Sequence, residues 1–350
     1  MKIQSVNNYN LFSQNNYQNN GINRSFGLRM SAPLNHDTVS FNGTATIKTA
    51  GKQGDMVRHN LAIKVRKIMK EPHEKLKVFL NNEFEDLIES GRVTLADRIK
   101  GEYSIRQKTG SRLWGNEDSI MSHMTDISGF CFILEDKKAF NDTINRFMKL
   151  IKSNKIRVAR SEEISEGLPV EYHRIPPMYK RGQVAEEYEP FNPAKIQEFK
   201  NTLINTYQPA SRMSDTIDSV SGYSALHVIV KNPDGTFSEI KFMDRTMADV
   251  HKVENLFYKV RNGKNINPKY SYLETILAPL KPLSEYATEA EKKEYEKLIK
   301  AVSKYTTEVY KFALKNPYIK NAELPIPTDP LIEQYDFNKL RKLMEACENM

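Results

Sequence analysis

The sequence predicts an α+β fold: a mixed β-sheet with flanking helices and a C-terminal helical extension. Short apolar and aromatic or β-branched runs at 127–134 and 226–230 have the length of buried strands rather than helices. Around and between them apolar residues recur at helical spacing, and after Pro282 the pattern is helical almost to the end. Helices, then strands with helices between, then helices again is the order of an α+β domain with helical flanks.

Composition narrows the class. In 350 residues, 52 Lys and Arg outnumber 44 Asp and Glu, a formal charge of +8. With 39% hydrophobic and 27% charged residues, a substantial core is available and a wholly disordered chain is excluded. No apolar run approaches the ~20 residues of a membrane helix, so no membrane partner is expected. Two cysteines, Cys131 and Cys347, exclude a disulfide framework and a four-cysteine zinc site and fit a reducing, cytoplasmic location. The positive balance leaves nucleotide and RNA both open as partners.

Taken in order, residues 1–45 hold ten asparagines and no sustained apolar period. Asparagine clusters satisfy the backbone locally and disfavour helix and sheet, so 1–50 is expected to be a disordered, Asn-rich tail. It lacks the charged start and apolar run of a secretory signal. Val57, Leu61, Val65 and Ile68, then Leu76, Phe79, Leu80, Phe84, Leu87 and Ile88, predict two helices separated at Pro72, with Gly91 as the stop. A third helix starts near 101–104. A buried strand at 127–134 leads to a helix over 137–152, with Phe140, Ile144, Phe147, Met148 and Ile151 on one side, and then to a short strand at 156–159. Runs at 228–231 and 237–243 flank Asn232-Pro233-Asp234-Gly235, the pattern of a hairpin. Helices follow at 249–259, 289–314 and 337–347, the last after a link broken by Pro325, Pro327 and Pro330.

Three features carry chemistry. Residues 92–112 contain Arg92, Arg98, Lys100, Arg106, Lys108 and Arg112 against Asp97 and Glu102, half of the net charge of the chain. Ser104 and Lys108, four apart, share a helix face and can grip phosphate oxygens; a solvated charged face is the ordinary alternative. Asp126 precedes one apolar strand and Glu239 opens another. Acids there are costly unless solvated, paired or metal-bound, and two from separate strands suit Mg²⁺ with substrate phosphates. Between them, Gly222-Tyr223-Ser224-Ala225-Leu226-His227 puts Tyr223 and His227 on one strand face, the first able to stack on a base and the second to meet a phosphate or sugar oxygen. A structural tyrosine and histidine would look the same.

These pieces in this order resemble the synthetase domain of the RelA/SpoT family, the makers of guanosine tetra- and pentaphosphate. The matching stretches are Arg98-Ile99-Lys100-Gly101-Glu102-Tyr103-Ser104-Ile105-Arg106-Gln107-Lys108, Asp126-Ile127-Ser128-Gly129, Gly222-Tyr223-Ser224-Ala225-Leu226-His227 and Glu239-Ile240-Lys241, with Glu254 and Tyr258-Lys259 echoing the helix that follows. The resemblance implies a nucleotidyltransferase-like mixed sheet over 51–265, with an insertion at about 160–220 serving as a lid, a partner surface or a plain elaboration, and a helical extension over 266–350. It implies transfer of pyrophosphate from ATP to the 3′-hydroxyl of GDP or GTP. Arg98, Lys100, Ser104 and Lys108 would bind ATP phosphates, and Asp126 and Glu239 would hold Mg²⁺, with Glu239 activating the hydroxyl. Tyr223, His227 and Lys241 would bind the acceptor.

The chain departs from the family pattern at Cys131 and Ser224, where arginines are usual, and at Lys241, where glutamine is; Arg106 and Arg112 are the candidates to supply the missing stacking. His36-Asp37 is the only upstream His-Asp pair, so a stand-alone synthetase-like protein is expected. Two other functions stay open: a toxin-type relative that modifies the 3′ end of tRNA, and a catalytically inactive nucleotide-binding or interaction module. A homo-oligomer and an antitoxin partner stay open as well.

Overall fold

The computed structural model describes residues 38–41, 44–48, 52–112, 116–164, 167–174, 178–180, 183–186, 191–207, 214–218, 222–264, 266 and 268–348. The expected tail lies outside them, save for a hairpin of β1 (Thr38–Phe41) and β2 (Thr44–Lys48) at its end. Next comes α1 (Lys52–Glu83), one helix of 32 residues that runs through Pro72 where two helices were expected. A proline there lacks the N–H of an i→i−4 bond and crowds the preceding turn. Packing on both sides outweighs that cost. Leu61, Ala62, Val65 and Met69 are buried against Ile105 and Ile120 before the proline, and Leu80 and Phe84 enter the main core after it. The short α2 (Glu85–Glu89) follows and ends at Gly91, whose φ of +70° suits glycine.

Residues 92–112 hold a strand ahead of the helix expected near 101–104. They form β3 (Val93–Ile99) and then α3 (Glu102–Arg112). After α4 (Glu117–His123) come β4 (Ser128–Leu134), α5 (Lys137–Lys152) and β5 (Arg157–Val158). Asp136 caps α5 by accepting from the Ala139 N–H. The expected insertion contains β6 (Val170–Arg174), β7 (Met178–Lys180), β8 (Gln183–Glu186), α6 (Pro193–Tyr207) and β9 (Ser214–Asp218). The hairpin is β10 (Ala225–Lys231) and β11 (Phe237–Asp244), followed by α7 (Arg245–Arg261). The extension supplies α8 (Glu274–Leu277), α9 (Glu289–Lys315) and α10 (Phe337–Glu348).

The main sheet runs β3-β4-β11-β10-β6-β9, with β5 also on β10. β4 lies parallel to β11 and β6 to β9; the other pairs are antiparallel, so the sheet is mixed as expected. Period-2 alternation gives it two faces. Phe130, Phe132, Leu226, Val228, Ile240 and Phe242 pack with Phe140 and Phe147 of α5 and Phe199 and Leu203 of α6. The insertion therefore adds two strands to the sheet and a helix to its core, beyond a lid or surface elaboration. On the opposite side Ala225 and Met243 meet Val250, Val253 and Phe257 of α7, Val302, Tyr305 and Val309 of α9, and Phe337 and Leu340 of α10. The extension shares this core with α7. Among the described residues no helix is long and apolar enough to cross a membrane.

Candidate active site

Register across three strands assembles the site. Arg98 of β3 pairs with Gly129 of β4, and Gly129 pairs with Glu239 of β11, so the three form one row on the face toward α7 and α9. In the adjoining row Lys241 of β11 lies between Cys131 of β4 and His227 of β10. Glycine at the centre of the first row keeps a side chain from filling the space between Arg98 and Glu239. Arg98, Glu239, Lys241, Cys131 and Tyr223 line a cavity of about 600 Å³ between the sheet and the helical layer.

Inside it, Glu239 is held on both oxygens. Lys241 Nζ lies 3.2 Å from Oε2, and His227 Nδ1 lies 3.0 Å from Oε1. Tyr223 Oη is 2.8 Å from His227 Nε2. Burial works against ionising Glu239, but Lys241, His227 and Arg98 outweigh it and hold the carboxyl well below its ordinary range. Burial likewise works against the Lys241 ammonium, and Glu239 overcomes it, so this pair is ionic. Burial and the nearby Lys241 push His227 down to about 4, against the pull of Glu239. A neutral imidazole donates Nδ1–H to Glu239 and accepts the Tyr223 hydroxyl on Nε2. Burial pushes the Cys131 thiol up to about 11, so it stays protonated and gives no nucleophile.

The second expected acid sits at the mouth of the β3–β4 pair. The Lys100 N–H donates to the Ile127 carbonyl at 2.7 Å, which brings Lys100 beside Asp126. Lys100 Nζ is 2.5 Å from Asp126 Oδ2, and Lys108 Nζ reaches Oδ1 from α3 at 3.2 Å. Burial raises the Asp126 carboxyl, yet the two ammoniums outweigh it and keep the acid ionised. Ser104 lies one turn before Lys108 on α3. The structure thus gathers Lys100, Lys108 and Asp126 but puts Arg98 in the cavity beside Glu239. Arg106 lies over the Tyr103 ring at 5.1 Å, and the Arg112 side chain falls outside the described residues.

Asp126 and Glu239 are in electrostatic reach, since the charge of Glu239 works to raise the Asp126 carboxyl. Each is nonetheless held by its own cations. Among the described residues no cluster of three or more His, Cys, Asp or Glu is placed to hold a metal. The donor chemistry of two ionised carboxylates fits a hard cation that takes its remaining ligands from phosphate and water.

Several residues escaped the sequence reading. On β6, Glu171 and His173 are 3.2 Å apart, and the His173 ring lies 4.6 Å from that of His227. Ser224, a departure from the family pattern, donates to the His173 carbonyl at 3.0 Å and ties the start of β10 to β6. Opposite the sheet, the cavity wall is a polar stripe of α7, His251, Glu254, Asn255, Tyr258 and Arg261, backed by Thr306 and Tyr310 of α9. Of these, Glu254 and Tyr258 were marked by their place in the family-like stretch; the stripe itself, opposite Val250, Val253, Phe257 and Val260, is indistinguishable in sequence from a solvent-facing side.

An ionised carboxylate held by a lysine and a neutral imidazole thus lies beside an arginine in a sheet–helix cleft. Neither a protein-family model nor a curated protein matches the chain. Among solved structures it is similar to a GTP pyrophosphokinase family protein from Streptococcus pneumoniae, 14% identical over 69% of this chain and 96% of that one, with a TM-score of 0.32. It is similar to small alarmone synthetase 1 from Bacillus subtilis bound to its product pppGpp, 16% identical over 67% of this chain and 93% of that one, TM-score 0.29. Small alarmone synthetase 2 from the same organism gives 14%, 66%, 95% and 0.28. At these identities and TM-scores the function has to be read from this chain's own residues.

Proposed function

We propose that the chain is a nucleotide pyrophosphokinase that transfers pyrophosphate from ATP to the 3′-hydroxyl of GDP or GTP and releases AMP. The observation that carries this reading is that Tyr223, Glu239 and Lys241 line one cavity beside Arg98, with His227 joining Tyr223 to Glu239, at positions where the family motifs put their acceptor and catalytic residues. Lys100, Ser104 and Lys108 bind the ATP phosphates, and Arg98 meets the transferred group from the sheet. Tyr223 stacks on the acceptor base, while His227 orients Glu239. With Lys241 on it, Glu239 is a weak base; an acceptor phosphate that draws Lys241 away strengthens it just when the 3′-hydroxyl needs a proton acceptor. Mg²⁺, held by Asp126 and Glu239, would supply charge neutralisation on the phosphate oxygens.

The test is incubation of purified protein with ATP, Mg²⁺ and each of GDP, GTP and tRNA, followed by resolution of the nucleotides. AMP with a 3′-pyrophosphorylated guanine nucleotide is expected with GDP or GTP. Label from ATP appearing in tRNA would move the activity to the toxin-type acceptor. A binding module without turnover is the second reading, favoured by Lys241 occupying the Glu239 carboxylate. Glu239→Gln separates the two: about 10²–10⁴-fold less AMP than wild type fits a proton acceptor, whereas binding without turnover in both proteins fits the module.

A further inference from the structure

The row that carries Arg98, Gly129 and Glu239 has a back as well as a front. Period-2 alternation puts the flanking rows, Asp97–Phe130–Ile240 on one side and Ile99–Ser128–Ser238 on the other, on the opposite face of the sheet. That face packs the main apolar core, yet His73 of α1, Ser128 and Ser238 are all buried there. His73 spans both rows. Its ring stacks on Phe130 with centroids 4.7 Å apart, its Nε2 lies 2.9 Å from Asp97 Oδ2, and its Nδ1 lies 3.0 Å from Ser128 Oγ. Lys77, one turn further along α1, holds the other Asp97 oxygen at 2.9 Å. On the front, glycine at the centre of the row gives Arg98 and Glu239 no side chain to brace against.

From Ser128 the contacts continue to the β10–β11 turn. Ser238 Oγ donates to Ser128 Oγ at 2.9 Å, and Asn232 Nδ2 donates to Ser238 Oγ at 3.1 Å and to Thr236 Oγ1 at 2.9 Å. Thr236 in turn donates to Asp234 Oδ1 at 2.7 Å. An amide nitrogen only donates and a carboxylate only accepts, so Asn232 supplies both hydroxyls and the Ser238 proton goes to Ser128. The Ser128 proton then goes to His73 Nδ1, which puts the ring proton on Nε2, facing Asp97. Every member has a partner, and a fully satisfied buried network rigidifies and specifies its part of a core. We infer that His73 is a positioning residue for the transfer: from behind the sheet it ties β3 to β4, and through Ser128 and Ser238 to β11, and so holds Arg98 and Glu239 in register with each other. This rests on the role proposed for Glu239 above. It assigns part of the precision of the site to α1, on a face of the sheet that no substrate touches.

Four variants of the full chain separate positioning from packing. His73→Phe keeps the stacking on Phe130 and loses both polar links. Asparagine carries its polar group where the imidazole has Nδ1, and glutamine where it has Nε2. His73→Asn therefore keeps the Ser128 arm toward β11, and His73→Gln keeps only Asp97. Ser238→Ala cuts the chain at β11 and leaves α1 untouched. With ATP and GDP, kcat for AMP release should fall about 10–100-fold in His73→Phe, His73→Gln and Ser238→Ala, the scale of a misplacement of up to about 1 Å, with KM for both nucleotides within about 3-fold of wild type. His73→Asn should recover most of that loss. Thermal unfolding is recorded for each variant. A kcat that merely follows melting temperature, with His73→Asn no better than His73→Gln, overturns the inference, as does wild-type kcat in folded Ser238→Ala. The nitrogen–proton correlation spectrum of the imidazole rings reads the same link without turnover. Wild type should show the His73 proton on Nε2 and the His227 proton on Nδ1, where Glu239 accepts it. If no protein in the series forms AMP, the pyrophosphokinase reading falls and His227 decides this one. A mixture of His227 tautomers in Ser238→Ala then supports it, and a single unchanged tautomer overturns it. AMP formed at wild-type kcat by every variant would do the reverse, removing this inference and leaving that reading in place.

Discussion

Lys241 Nζ lies 3.2 Å from Glu239 Oε2 on the inner face of β11, two residues along the same strand. Adjacent same-face positions of one strand thus carry opposite charges, in a site that needs one of them as a base. Replacing Lys241 by Gln removes the largest attraction holding Glu239 ionised. The carboxyl should rise toward its ordinary range, and the acid limb of the pH–rate profile for AMP release should move to higher pH. Stability should fall by roughly 2–4 kcal/mol by urea titration, less than for a fully stranded charge because His227 still donates to Glu239. An unmoved acid limb would show that Glu239 is not the titrating base.

Asp126 has the converse arrangement, one acid under two ammoniums. Burial pushes Lys100 down, and Asp126 works against that push. Asp126→Asn should therefore lower Lys100 further and set two lysines against each other. The Michaelis constant for ATP should rise about 10-fold or more, the scale of a lost charge-assisted contact, and ATP affinity should weaken at lower alkaline pH than in wild type. Unaltered ATP kinetics would place ATP elsewhere.

Two buried acids should make stability fall as pH rises. Burial pushes Asp244 up to about 7 from 3.8 and Glu254 up to about 7 from 4.5. A group whose carboxyl is raised on folding binds its proton more tightly in the folded chain, so its full contribution is present below the unfolded value and is lost between about 4 and 7. Melting temperature should drop from pH 5 to pH 8. Asp244 also caps α7, accepting from the Met247 N–H at 2.9 Å. Asp244→Asn keeps a good cap, so it should flatten this slope without loss of the helix. Below about pH 4.5 the trend reverses, because Asp126 and Glu239 lie under their ordinary values and lose their ion pairs on protonation.

Pro72 offers a backbone test. Within a continuous α1 it costs a hydrogen bond and crowds the turn before it. Pro72→Ala should stabilise the chain by about 1–2 kcal/mol, the ~3 kcal/mol helix-interior cost reduced by the added freedom of the unfolded chain. A loss of stability would mean that a break at this point is part of the packing of the buried His73 beside it.

Local pattern made much of this legible. The 127–134 run, the Asn-Pro-Asp-Gly turn and the stripe of α5 each follow from periodicity or turn chemistry, and the structure places all three within a residue or two. β3 was hidden because Asp97 and Arg98 interrupt its alternation, and the charge at Arg98 belongs to the cavity rather than to a solvated helix. β6 and β9 were hidden because β6 pairs with β10, and β9 with β6, across long stretches of chain, and non-local pairing leaves little trace in a sequence window. Glu239, Asp126, Tyr223 and His227 could be singled out from motifs. On α7 the motif marked Glu254 and Tyr258 but not His251, Asn255 or Arg261, since a polar helix face looks the same whether it meets water or a ligand.

The cavity wall opposite the sheet comes from α7, directly after β11, and its backing from α9, much later in the chain. During synthesis β11 and α7 leave the ribosome first, and for several seconds at ordinary elongation rates α7 has nothing behind it. The cavity is thus complete only once translation has delivered Tyr310, so a nascent or prematurely terminated polypeptide would lack part of its lining even with every sheet residue in place.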